Sequence, residues 1–300
     1  MLPTPGLPSF DYIRPASASE VTKLLLKSNG DARLFMGGTD VFVRMRDGFF
    51  APKLLIDIKR LPGMTDIKFS KRAGLSIGAG VDMNTIARHP AVIENYPLLV
   101  QAIESVASYH LRTRATMGGN LCNASPAADT APAALVLGAN LVLHGRRGER
   151  VVPIDEFFLG PGKSAIKPGE FLLRIEIPPM PKGVVGRYLK LGRNAHGDLA
   201  IVGMAVLGYP DKKSAHSASG FSFRIALASV APTPIRVPNA ETILSASPIT
   251  PDVIQAAAIA TMETAKPIDD VRSSAVYRKA MVRALTKRAV NEVVGVMRKR

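Results

Sequence analysis

The stretch Arg114-Ala-Thr-Met-Gly-Gly-Asn-Leu-Cys-Asn-Ala-Ser-Pro-Ala-Ala-Asp129 decides how the rest of the chain is read. Gly118 and Gly119 at its centre let a backbone approach another group closely and take positive φ without penalty. Asn120 adds an amide that both donates and accepts. Ser125 and Pro126 suit the start of a helix, Ser125 as N-cap and Pro126 at the first helical position. Alanines at 127, 128, 131, 133 and 134 allow that helix to pack closely. A Gly-rich loop feeding a helix N-terminus is a ready anion site. The same pattern also serves as a tight turn in an ordinary α/β fold, so alone it is a weak signal.

Upstream lies a second double glycine, Gly37-Gly38-Thr39-Asp40. Ser17 or Ser19 caps a helix through about Ser28, with Val21, Leu24 and Leu25 on one face. Residues 32–36 read as a short buried strand running into the glycines. Thr39 or Asp40 then caps a helix carrying Val41, Phe42 and Met45, and residues 54–58 form the next strand. Strand, turn, helix and strand make a βαβ-like unit whose turn amides are free for a ligand. The loop is neither a Walker A loop nor a G-x-G-x-x-G turn.

Residues 61–180 form a second unit. Segments 65–69 and 75–77 make a hairpin, Asp82 caps a helix over 83–88, and residues 97–108 read as one longer helix. After the opening stretch and its Ala-rich helix, which ends at Gly138, residues 140–144 and 150–153 form another hairpin, and 171–177 a strand. Pro178-Pro-Met-Pro-Lys-Gly183 marks a boundary. Beyond it come three antiparallel strands (184–191, 200–209, 221–230) and three helices (239–245, 251–264, 273–298), an α+β pattern. Residues 210–220, rich in Lys and Ser, read as a mobile hairpin loop. The last helix is expected to turn Val276, Ala280, Ala284 and Leu285 inward and its basic residues, Arg278 among them, outward.

Composition narrows the function. Three hundred residues, 47% of them hydrophobic, suffice for two or three domains with real cores. No apolar run is long enough to span a bilayer. Met1-Leu-Pro-Thr-Pro5 shows no charged segment leading into an apolar one, so cytoplasm is the expectation. The single cysteine, Cys122, excludes an internal disulfide and a Cys-ligated iron–sulfur cluster or multi-Cys zinc site in this chain. The five histidines are scattered, with no i, i+4 pair to hold a metal. A net charge of +15 invites a nucleic-acid reading, but tryptophan is absent and no aromatic–basic interleaving offers base stacking. A solvated basic face, or one that meets an acidic partner subunit, accounts better for the charge.

The pairing of Gly37-Gly38-Thr39-Asp40 with Thr116-Met-Gly-Gly-Asn120 and Ser125-Pro-Ala-Ala-Asp129 resembles the FAD-binding subunit of the molybdenum hydroxylases, the xanthine dehydrogenase and carbon monoxide dehydrogenase family. Tyr188-Leu-Lys190, Arg193 and Asp198-Leu-Ala200 are similar to the start of that family's C-terminal domain. The resemblance covers nearly the whole chain. It implies an α+β chain with a PCMH-type FAD-binding domain made of two α/β subdomains, at 1–60 and 61–180. A C-terminal α+β domain follows at 184–300, built of a three-stranded antiparallel sheet with a helix bundle.

The resemblance also implies an FAD site. Leu34, Phe35, Met36, Gly37, Gly38, Thr39, Asp40 and Val41 would wrap the pyrophosphate from one side, and Thr116, Met117, Gly118, Gly119 and Asn120 from the other. Val106 would lie near the adenine or ribose, Asp129 near a hydroxyl or phosphate, and Leu172 beside the ring system. Lys190 would sit near the flavin ring or ribityl chain, with Tyr188 on the same strand face covering the flavin or lying in the core. No residue of this chain is called catalytic and none a metal ligand. Cys122 is expected to be a small buried residue without a redox role.

The chemistry agrees, because two converging turns with free N–H groups can hold two phosphate charges. The family places its molybdenum cofactor and two-iron–two-sulfur clusters elsewhere. A molybdenum-binding large subunit and an iron–sulfur small subunit are therefore the expected partners, in a heterotrimer often doubled to (αβγ)2. A relative that reduces a hydroxybenzoyl thioester carries a four-iron cluster in its flavin subunit, which one cysteine cannot hold. The expected role is to carry electrons from iron–sulfur centres to an acceptor such as NAD, quinone, ferredoxin or oxygen. The complex would oxidise or hydroxylate a small aromatic, heterocyclic or aldehyde substrate. The rival readings are a stand-alone FAD oxidase, against which the lack of a substrate-cap segment speaks, and a basic nucleic-acid-binding or scaffold protein.

Overall fold

The computed structural model describes residues 6–194, 197–211 and 217–299. The first five residues, His196, and residues 212–216 of the Lys- and Ser-rich loop expected at 210–220 lie outside the described residues.

The chain opens with strand β1 (Asp11–Ile13), helix α1 (Ala18–Lys27), strand β2 (Ala32–Phe35), helix α2 (Val41–Arg46) and strand β3 (Leu54–Asp57). Ser17 starts α1 by accepting the Glu20 N–H, while the Glu20 carboxylate accepts from the Ala16 N–H. The strands are all parallel, in the order β1-β3-β2. In such sheets the loops beyond the carboxyl ends of the strands form ligand crevices, and the first double glycine sits at one of them.

The second sheet is antiparallel and five-stranded. Its members are β4 (Ile67–Ser70), β5 (Gly74–Gly78), β6 (Asn140–Gly145), β7 (Gly148–Pro153) and, in the middle, β10 (Phe171–Ile177), ordered β4-β5-β10-β6-β7. Between β5 and β6 run α3 (Met83–Arg88), α4 (Pro90–Asn95), α5 (Pro97–Glu104), α6 (Tyr109–Arg112), α7 (Met117–Cys122) and α8 (Thr130–Leu137). A small hairpin, β8 (Phe158–Gly160) with β9 (Lys163–Ser164), precedes β10. Asp82 caps α3 through the Thr85 N–H. Gly138 ends α8 in the left-handed conformation, as its position after the apolar run requires.

The helix expected over 97–108 is broken. It stops at Glu104, and Ala107 takes φ +43. The carbonyls freed at that end are claimed by cations: Ser105 O by Lys190 Nζ at 2.9 Å and Val106 O by Arg112 at 2.8 Å. Helical periodicity carries no trace of a partner as distant in sequence as Lys190.

The third sheet is antiparallel: β11 (Val185–Leu191), β12 (Val202–Pro210), β13 (Phe221–Ala228), and a two-residue edge strand, β14 (Ile235–Arg236), added to the three expected. Helices α9 (Pro238–Ala246), α10 (Pro251–Thr264) and α11 (Ala275–Met297) follow. Both faces of this sheet are covered. Tyr188, Ala205, Leu207 and Ala226 join the core around α5 and α8. Met204, Val206, Ile225 and Leu227 face the helices on the other side. A strand buried on two faces reads as a continuous apolar run, as residues 202–207 do.

The inward face of α11 differs from the sequence reading. Val276 is 81% exposed, and Ala280 and Ala284 are exposed as well. Val282, Thr286, Ala289, Val290, Val293 and Met297 are buried instead, together with Arg278, which is 1% exposed. Arg278 donates to the Ile201 and Ser229 carbonyls at 3.2 and 2.7 Å and pairs with Asp270 at 2.6 Å. A guanidinium whose charge is paired and whose terminal nitrogens donate locally can be buried, although its Nε finds no acceptor among the described residues.

Candidate functional site

The two glycine segments face each other across a cavity of about 930 Å3, near the top of the ~300–1,000 Å3 range common for small-molecule and cofactor sites. The first wall is the loop from β2 to α2. Gly38 has φ +74, and a Cβ there would lie 2.5 Å from the Phe35 ring. Asp40 holds the N-cap position of α2 without a side-chain cap bond. Among the described residues, no acceptor takes the backbone N–H groups of Gly38, Thr39 or Asp40.

The second wall corrects the sequence reading in two ways. Gly118 and Gly119 lie inside α7, not in a turn, and Thr116 is the N-cap, accepting the Gly119 N–H at 2.9 Å. Ser125 does not cap the Ala-rich helix. Its hydroxyl accepts from Ala127 N in a local turn, after Ala124 at φ +48, and α8 begins only at Thr130. The glycine at 118 is required by packing, since a Cβ would lie 2.5 Å from the Ala79 carbonyl. Asn120 Oδ1 accepts from the Thr130 hydroxyl at 2.6 Å, which ties α7 to α8 and leaves the amide N–H groups to donate elsewhere.

The walls meet at their base. A Cβ on Gly37 would lie 1.9 Å from the Arg114 carbonyl oxygen. Arg44 on α2 reaches across to Asn123 Oδ1 at 3.2 Å. Leu34, Met36, Gly37, Gly38, Thr39, Asp40, Val41, Val106, Thr116, Gly118, Gly119, Asn120, Asp129 and Leu172 line the cavity. Four of the expected residues stand behind its wall. Phe35 is buried against Phe42, and Met117 is fully buried. Tyr188 is buried and donates its hydroxyl to Asp129 Oδ1 at 2.7 Å. Lys190 Nζ lies 2.8 Å from Asp129 Oδ2 and borders a smaller cavity of about 240 Å3.

Asp129 therefore connects the cavity to the C-terminal sheet. Burial raises its carboxyl above the usual range, while Lys190 and then Tyr188 pull it back. The Tyr188 hydroxyl is pushed well above its ordinary value by burial and by the neighbouring carboxylate. The Cys122 thiol edges the cavity, and burial pushes it up to about 12. Such a thiol is chemically quiet.

The residues present fit a dinucleotide: a close-approach cradle that a Cβ would fill, unclaimed amides, and matching volume. Residues 8–180 match the family model described as the FAD binding domain in molybdopterin dehydrogenase. The chain belongs to that family. Residues 187–293 match the CO dehydrogenase flavoprotein C-terminal domain. The carbon monoxide dehydrogenase medium chain of Hydrogenophaga pseudoflava is 34% identical over 284 residues, covering 95% of this chain and 96% of that one. The xanthine dehydrogenase FAD-binding subunit of Escherichia coli O157:H7 is 30% identical over 286 residues, covering 95% and 96%. A solved structure of the Hydrogenophaga enzyme superposes with a TM-score of 0.90 over 97% of this chain and 99% of that one, at 34% identity. The chain is thus an FAD-containing oxidoreductase subunit of this family.

Sequence reading missed several residues that border the cavity. Arg33 and Arg44 flank the Phe50 ring at 5.2 and 5.4 Å. Leu159, Gly162, Lys163 and Ser164 come from the β8–β9 hairpin. Its Gly160-Pro161-Gly162 turn was a readable signal. The arginines gave none, because an exposed basic residue on a short strand (Arg33) or a short helix (Arg44) looks like any solvated position.

Proposed function

We propose that residues 34–41 and 116–120 hold the FAD pyrophosphate from opposite sides, with Val106, Asp129 and Leu172 around the rest of the molecule. The observation that carries this reading is the backbone meeting of Gly37 and Arg114 beneath a cavity edged by unclaimed amides. Bound FAD supplies redox chemistry that can accept and pass on electrons. The chain's own part is to bind and orient it. The amides and helix starts meet the phosphates, and the glycines bring the backbone close. Lys190 and Tyr188 work through Asp129, holding its carboxylate in place at the cavity edge.

Within an assembly, the chain carries electrons from iron–sulfur centres on a small partner subunit to an external acceptor. A large molybdenum-binding subunit oxidises or hydroxylates the small-molecule substrate. A doubled heterotrimer, (αβγ)2, in the cytoplasm is the arrangement we favour. Three observations support it. The relatives are called a medium chain and a subunit. Cys122 alone leaves no cluster ligands on this chain. No helix among the described residues is long and apolar enough to cross a membrane. Lys279, Arg283 and Lys287 line one exposed stripe of α11, suited to an acidic partner face. The test is to purify the chain with the products of its neighbouring genes and record the visible spectrum. FAD released on denaturation, beside iron–sulfur absorbance on the small subunit, is the expected result. A complex without flavin, or turnover by this chain alone, contradicts it.

A further inference from the structure

The parallel sheet beneath the first glycine loop holds a buried acid that the cavity does not use. Asp57 ends β3, 4% exposed, paired in register with Phe35 of β2. A buried carboxylate is costly unless paired and hydrogen-bonded. Here Oδ1 accepts the Lys59 backbone N–H at 3.0 Å, and Oδ2 lies 2.9 Å from Lys59 Nζ and accepts from the Tyr12 hydroxyl. Arg14 Nε lies 3.6 Å away. These contacts fix an ammonium that would otherwise sit on a flexible stem. Lys59 Nζ lies 3.8 Å from the centre of the Phe35 ring and donates to the Met36 carbonyl at 3.4 Å.

The peptide joining Met36 to Gly37 is planar and trans, so its C=O and N–H point in opposite directions. A cation that holds the Met36 oxygen on one side turns the Gly37 N–H to the other. Gly37 lines the cavity, and no acceptor among the described residues takes its N–H. We infer that Asp57 and Lys59 are positioning residues for the first glycine loop: Asp57 anchors the ammonium, and the ammonium anchors the Met36 carbonyl. The amides that follow are thereby presented to an anionic pyrophosphate. This inference rests on the placement of FAD proposed above.

The test follows release of FAD from the purified complex after dilution, by the rise in flavin fluorescence, with thermal unfolding of the flavin-free proteins in parallel. Lys59→Met is the informative variant, because its side chain is 39% exposed and its loss leaves no cavity. It should weaken FAD binding about tenfold, the effect of losing one charge-assisted hydrogen bond, over and above the fall in flavin-free Tm that comes from leaving the buried Asp57 carboxylate without its nearest counter-charge. Lys59→Arg should restore retention. Asp57→Asn should weaken binding similarly, and the double variant no further, since the pair acts as one unit. Wild-type retention by Lys59→Met, no rescue by Arg, or additive losses would overturn the inference. So would a flavin loss that tracks an equal loss of flavin-free stability. Gly119→Val separates the two levels. If it loses flavin while Lys59→Met keeps it, the positioning role fails and the FAD placement stands. If both keep flavin, the placement itself fails.

Discussion

Gly37 and Arg114 meet backbone to backbone: a Cβ on Gly37 would lie 1.9 Å from the Arg114 carbonyl oxygen and 2.7 Å from its carbonyl carbon. Neither partner is a flexible side chain that could swing away. The contact joins the loop after β2 to the segment leading into α7, elements almost eighty residues apart in sequence. It sets how closely the two cavity walls approach.

Gly37→Ala should therefore separate the walls. Overpacking of this kind costs about 1–3 kcal/mol, and most of the bound flavin should be lost with it. The flavin-to-protein absorbance ratio and the urea midpoint check both. A variant with normal flavin and normal stability would show that the loops have slack the structure does not display.

Asp129 and Lys190 predict a pH signature. Asp129 is 5% exposed, and the Lys190 side chain 13%. Burial raises the Asp129 carboxyl above its ordinary value, against Lys190 and Tyr188. A carboxylate pKa raised on folding favours the protonated native state. Its contribution is full below the unfolded value and declines as pH rises through the folded one. Lys190→Met removes the chief opposing charge and raises that pKa further. It should cost about 3–5 kcal/mol near neutral pH, less as acid protonates Asp129, and Asp129→Asn in the same chain should recover most of it. Urea unfolding across the acid-to-neutral range is the check. A loss independent of pH would contradict the pairing.

Asp270 predicts the opposite sign. Arg272, and also Arg278, hold its carboxyl well below the usual range. A depressed carboxylate contributes stability that is present above its unfolded pKa and lost as pH falls through the folded one. The Arg278 interaction should thus survive mild acid. Asp270→Asn leaves a buried guanidinium without its counter-charge, at a cost of about 3–5 kcal/mol. Denaturant unfolding of the variant checks this. A change below about 0.5 kcal/mol, typical of surface sites, would mean the carbonyls of Ile201 and Ser229 suffice.

Much of this architecture was legible because it is local. Strand alternation, the Gly138 stop and the Ser17 and Asp82 caps are written within a few residues of where they act. The parts that escaped depend on partners far along the chain. Residues 97–108 have helical spacing, but Lys190, far along the chain, claims the Ser105 carbonyl that a continuing helix would use. Arg278 looks like one more surface cation until Asp270 and the ends of β12 and β13 surround it. Ser125-Pro126 satisfies the rule for a helix start, yet Asp129 is drawn to Tyr188 and Lys190 and the helix begins after it. Of the site, the glycine segments carried their own signal. Asp57, Lys59 and Arg44, which brace or bridge those segments, carried none.

Gly119 offers the most direct measurement. A Cβ there meets only the Thr116 hydroxyl, at 3.0 Å, and the residue lines the cavity. Gly119→Val should place its methyl groups where the pyrophosphate is proposed to lie, while the C-terminal core, more than sixty residues away in sequence, stays intact. The variant should purify with little or no flavin absorbance and with wild-type hydrogen-exchange protection in β12 and α11. A Gly119→Val protein that retains a full complement of FAD would show that the cofactor is not held between these two glycine segments.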